Sequence, residues 1–130
     1  MRSLNIQILE KARDLIADEG RWCRGYFAQL SDGDAIVELG FGLKDRKLFA
    51  KSTKFCALGA LYRTLIQVFP NDPDVFEMYQ TLRRELGFST HGEPTGTGVA
   101  NVNDGHGGHE AILRVYDKTI ERLVKTEVRA

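Results

Sequence analysis

Apolar residues recur at helical spacing in four separate stretches of the chain. Leu4, Ile8, Ala12, Leu15 and Ile16 form the first stripe, widened by Leu9 and followed by Gly20 where a left-handed closing residue would sit, which predicts a helix over about 4–19. Asp18 and Glu19 run against that boundary, because the last turn of a helix favours cations. The second stretch runs from Phe55 to Phe69 and stops before Pro70, with Ser52 or Thr53 as its cap. Its first two turns are apolar all round, the mark of a helix buried on every side, so the segment 53–69 is expected to be the centre of the core. In the third, Asp72 caps, Pro73 takes the first helical position and Val75, Tyr79, Leu82 and Leu86 make the stripe. Gly87 then closes it and Phe88 folds back on it. The fourth carries Ala111, Ile112, Val115, Tyr116, Ile120, Leu123 and Val124, with Glu110 in its first turn.

Between the first two helices the period changes. Tyr26, Phe27 and Leu30 are separated from Ile36, Val37, Leu39 and Phe41 by the turn cluster Ser31-Asp32-Gly33-Asp34, so the insert 21–50 is expected to hold a small β-hairpin or irregular chain. Residues 89–108 contain six glycines (Gly92, Gly96, Gly98, Gly105, Gly107 and Gly108) and little apolar content, and read as a loop of about twenty residues. The expected fold is therefore mainly α, with about four helices packed around the central apolar one.

At 130 residues the chain is the length of a single domain, 1–130, and its 42% hydrophobic and 28% charged content is that of an ordinary folded protein. Lysines plus arginines equal aspartates plus glutamates at 18 each, so no global field favours a polyanion and a nucleic-acid partner is not expected. Apolar runs are too short for a membrane span and the first residues lack a secretory pattern, so a cytoplasmic location is expected. Cys23 and Cys56 supply neither a disulfide framework nor a four-cysteine zinc site.

Trp22, the run Phe55-Cys56-Ala57-Leu58-Gly59-Ala60-Leu61 and Asn103-Asp104 before a closing helix resemble a family of small domains of unknown function from actinobacterial, proteobacterial and phage proteins. The resemblance runs from Leu9 to Val124. It implies a shared core and a bacterial or phage origin, and no activity.

Two functional readings compete. The first is an interaction module that uses the glycine-rich loop 89–108, with Asn103, Asp104, His106 and His109 as binding residues, and the basic insert 44–54. Lys44, Arg46, Lys47, Lys51 and Lys54 against Asp45 give that insert a local charge of +4. A protein partner is expected, and a small anion fits the start of the last helix. The second is a Cys-His hydrolase or acyl or amide transferase. In it Cys56, near a helix N-terminus, is the nucleophile, His106 or His109 the base, and Asn103 or Asp104 the orienting group. The apolar neighbours of Cys56 oppose this reading, because a buried thiol is inert. Asp104, His106, His109 and Glu110 sit in glycine-rich chain that does not suit a metal site, so neither metal nor cofactor is expected. Trp22 reads as packing area with one satisfied indole donor.

Overall fold

The structure, a computed structural model, describes residues 3–90 and 96–129. Among these are six α-helices and a small antiparallel sheet: α1 (Leu4–Leu15), β1 (Ala28–Leu30), β2 (Ala35–Ile36), α2 (Leu43–Lys51), β3 (Ser52–Phe55), α3 (Ala57–Val68), α4 (Val75–Gly87), α5 (Gly96–Asp104) and α6 (Gly108–Arg129). The fold is mainly α, as the periodicity predicts.

The apolar run becomes the hub. Every residue of α3 from Ala57 to Tyr62 is buried, and Thr64, Leu65 and Ile66 with them, while α1, α2, α4 and α5 pack around it. Its start differs from the expectation. Ser52 and Thr53 belong to β3, where the Ser52 hydroxyl donates back to Leu48 O at 2.9 Å, and the cap is Cys56. Pairing of Phe55 with Ala28 and of Lys54 with Gln29 draws 52–55 into the sheet, so a strand displaces the first helical turn.

The hairpin forms where it is expected. Gly33 takes φ +97° in the turn, and β1 pairs Ala28 with Ile36 and Gln29 with Ala35, giving the strand order β2-β1-β3. The rest of the insert is α2, which apolar spacing did not announce because it buries a single side chain, Phe49, edge-on to Tyr62 at 4.7 Å. Asp45 accepts from Gly42 N at 3.2 Å and secures its first turn. Arg46 donates to the carbonyls of Phe41, Pro70 and Asp72, tying the insert to the α3–α4 connection rather than to an external anion.

Three further boundaries move. Helix α1 ends at Leu15, because Asp18 accepts from Gly20 N at 2.9 Å and starts a short 3-10 turn over Glu19–Arg21, in which Gly20 has no positive φ. Helix α4 begins at Val75, since Asp72 accepts from Asp74 N in a side-chain turn that holds Pro73 outside the helix. Phe88 stays in right-handed helical geometry, 54% exposed beneath the Arg122 guanidinium, and does not fold back.

The supposed glycine-rich loop contains α5, and this is the largest departure from the sequence reading. Val99 and Asn103 are buried, and the helix packs against α3, α4 and α6. Two glycines shape the chain that follows it. The turn into α6 uses Gly107 at φ +67°, and a Cβ on Gly108 would collide with Asn103 O. Of the expected loop, 91–95 lies outside the described residues.

The tightest approach is made by Gly59. A Cβ there would collide with the Phe27 carbonyl oxygen, which already accepts from Cys56 N at 3.1 Å. Since the obstacle is backbone fixed at both ends, Gly59→Ala is expected to destabilise by about 3 kcal/mol, at the upper end of overpacking costs. Urea denaturation checks this, and an unchanged midpoint would contradict the packing described.

Candidate functional site

Three segments distant in sequence meet where α3 starts. They are the turn after α1 (Trp22 to Phe27), Cys56 and Ala57, and the C-terminal end of α5. Asn103, 1% exposed, joins them. Its Oδ1 accepts from the Trp22 indole at 2.8 Å and from Ala57 N at 2.9 Å. Its Nδ2 donates to Cys23 O at 3.1 Å and to Asp104 Oδ1 at 2.9 Å. All four hydrogen-bonding positions of the amide are filled within the chain. Asp104 Oδ1 also accepts from Gly25 N at 2.9 Å, which fixes the carboxylate beside a glycine at φ +87°. Tyr116 reaches in from α6, and its hydroxyl donates to Ala57 O at 2.7 Å.

The α3 N-terminus is thus satisfied by two side chains. Asn103 takes the Ala57 N–H, and the Cys56 Sγ accepts from Gly59 N at 3.3 Å. Burial pushes the Cys56 thiol from its ordinary 9.0 up to about 11, against the lowering effect of the Gly59 N–H. Cys23 is raised to about 12 by burial first, with Cys56 and Asp104 adding to it. Both thiols are free and buried.

A cavity of about 100 Å³ opens at this junction. Phe27, Val37, Leu58 and Ala100 give it apolar walls, and Cys56, Asn103 and Asp104 form its polar side. Phe27, Leu58 and Ala100 also line an adjoining groove of about 480 Å³ that continues over Leu39, Phe41, Phe76 and Tyr79, with Gln80 and Arg83 in its wall. Phe76 is 46% exposed and stands edge-on to Phe41 at 4.8 Å, and Val37 is 68% exposed. Gln80 Oε1 is buried without a hydrogen-bond partner.

The residues nominated from sequence separate into two groups. Asn103, Asp104 and Cys56 come together at the cavity. His109 and His106 do not line it. His109 Nε2 hydrogen-bonds Ile16 O at 2.7 Å, and its ring packs on Trp22 at 5.2 Å, in a different groove with Glu19 and Glu110. His106 is exposed in the turn between α5 and α6. In the basic insert Lys44, Lys47, Lys51 and Lys54 are exposed, the first three at helical spacing on α2. Gly25, Phe27 and Tyr116 were missed. Their contributions are a backbone amide, a backbone carbonyl and a hydroxyl reaching across the core, none of which leaves a signature in local sequence.

Comparison with known proteins identifies a family. A model described as a family of unknown function, DUF6197, matches residues 2–122. No curated protein and no solved structure matches the chain.

The raised thiols set a pH dependence. Above about pH 9 the unfolded chain releases thiol protons that the folded chain keeps, so the folded state binds more protons and stability falls as pH rises. The loss starts near 9.0 and runs through about 11 for Cys56 and about 12 for Cys23. Urea midpoints are expected to be lower at about pH 10.5 than at about pH 8. Equal midpoints would contradict buried, protonated thiols.

Proposed function

The chain belongs to the DUF6197 family of unknown function, and from that premise we propose that it is a binding module. Its recognition face is the apolar groove and the cavity beside it, and the partner is a protein segment that lays apolar side chains into the groove. A bacterial or phage setting, a cytoplasmic location and the Trp22, Cys56–Leu61, Asn103–Asp104 pattern as a family signature are parts of the same reading. Among the described residues no helix is long and apolar enough to cross a membrane.

The observation that carries the reading is the groove of about 480 Å³ over Phe41, Phe76 and Tyr79, left open beside exposed Val37. Gln80 supports a polypeptide occupant, because its Oε1 is a buried acceptor with no partner among the described residues, and a rotation of this groove-lining side chain would offer it to a bound backbone N–H. Arg83, whose guanidinium lies 5.8 Å from the Tyr79 ring centre, offers a cation at the groove wall, and the α2 lysines add positive surface for an acidic flank. Of the residues nominated from sequence, Asn103 builds the face and Asp104 lines it. His106 and His109 serve this reading as surface around the α6 start, where a small anion also fits.

The Cys-His alternative has weaker support. Its nucleophile serves as a helix cap and keeps its proton at neutral pH, and neither histidine lines the cavity that Cys56 lines.

The dye 1-anilinonaphthalene-8-sulfonate, which fluoresces in apolar clefts, probes the groove directly. The native protein is expected to enhance its emission, and Phe76→Ser to abolish most of that enhancement with an unchanged melting temperature. No enhancement in the native protein, or enhancement indifferent to Phe76→Ser, would overturn the reading.

A further inference from the structure

The cavity beneath the groove has its own chemistry. Of its lining side chains, Asn103 is saturated by four internal hydrogen bonds, and the Cys56 sulfur is engaged by Gly59 N. Asp104 differs. It is exposed, its Oδ1 takes the Gly25 and Asn103 N–H groups, and among the described residues none donates a hydrogen bond to Oδ2. The carboxylate is therefore held in place by one oxygen and presents the other. Facing it, Phe27, Val37, Leu58 and Ala100 offer an apolar wall, and no lining residue carries a positive charge. An anion has no counter-charge there, and a guest that carries a cation beside its apolar part matches both the carboxylate and the apolar wall.

We propose that this cavity is a binding site for a small branched aliphatic group bearing a primary ammonium, with the ammonium on Asp104 Oδ2 and the alkyl part against Phe27, Leu58 and Ala100. The volume of about 100 Å³ fits this size, given that a cavity of roughly 150 Å³ admits benzene. The shared chemistry has two sources, a free alkylamine or the first residue of a peptide with an unblocked amino group. The inference rests on the binding-module reading and deepens it, by giving the groove's occupant a terminus that turns into the cavity.

Titration of the isotope-labelled full chain, followed by amide chemical shifts, tests it with isobutylamine, isobutanol and isobutyrate as probes. Isobutylamine is expected to shift the amides of Gly25, Ala57 and Asp104, isobutanol to bind about tenfold more weakly for want of a charged hydrogen bond, and isobutyrate not to bind. Val-Gly-Gly and its N-acetylated form separate the sources. Tighter binding of the free tripeptide than of isobutylamine assigns the site to a peptide terminus, and the reverse assigns it to a small amine. Asp104→Asn keeps an oxygen for Gly25 N and removes the charge, so it is expected to weaken isobutylamine by about tenfold. Ala100→Phe fills the cavity without touching the hydrogen bonds of Asn103, and is expected to abolish binding even if Asp104→Asn proves too unstable to titrate. Isobutanol or isobutyrate binding as well as the amine, no shifts at millimolar amine, or unchanged amine binding in Ala100→Phe would each overturn the proposal. Failure here with dye binding at the groove intact removes the ammonium site alone, whereas loss of both removes the binding-module reading.

Discussion

The architecture depends on one buried amide. Asn103 is where α5, the Trp22 turn and the start of α3 are joined: two of its four bonds leave α5 for Trp22 and Cys23, and a third goes to Ala57. Without it, the Trp22 indole N–H, the Ala57 N–H at the α3 N-terminus and the Cys23 carbonyl would lose their partners, and unpaired buried groups cost about 1–3 kcal/mol each. The surrounding contacts are tight because two glycines let backbone meet backbone. Gly59 lies against the Phe27 carbonyl and Gly108 against that of Asn103. The Gly108 contact requires α5 to be closely placed, and the Asn103 amide ties that helix to α3 and to the Trp22 turn.

This arrangement explains what could be read from sequence. The stripes of α1, α3, α4 and α6 were legible because each buries a full face, and hydrophobic burial writes its period into the chain. Helix α2 was not, since it is held by Phe49 and by the three carbonyl contacts of Arg46, and neither leaves a periodic trace. Helix α5 was hidden by its composition. Its glycines lower helix propensity, and the tertiary contacts of Val99 and Asn103 override that local preference. The boundary at Ser52 moved for a related reason, because strand pairing with Ala28 and Gln29 competes with the first helical turn and prevails.

The site was legible by residue type and not by role. Asn103 and Asp104 were singled out as polar groups beside a helix start. Asn103 spends its whole hydrogen-bonding capacity on the fold, and Asp104 spends one oxygen of two. Trp22 was read as packing with one satisfied indole donor, and the donor's partner proves to be Asn103, 81 residues away. The apolar neighbours of Cys56 favour a core thiol over a nucleophile in sequence, and in the structure it caps α3 and lines the cavity. The groove over Phe41, Phe76 and Tyr79 had no signature at all. It is made by the meeting of the insert with α4 and α5, which only the three-dimensional arrangement brings together.

If the Asn103 amide is the constraint on which this junction depends, its removal should cost far more than an ordinary polar truncation. Urea unfolding of Asn103→Ala, followed by Trp22 fluorescence, measures this most directly. The expected loss is about 3–5 kcal/mol with an unchanged dependence on denaturant, the sum of several stranded buried groups. A loss below about 1 kcal/mol, the net worth of one hydrogen bond, would contradict the account.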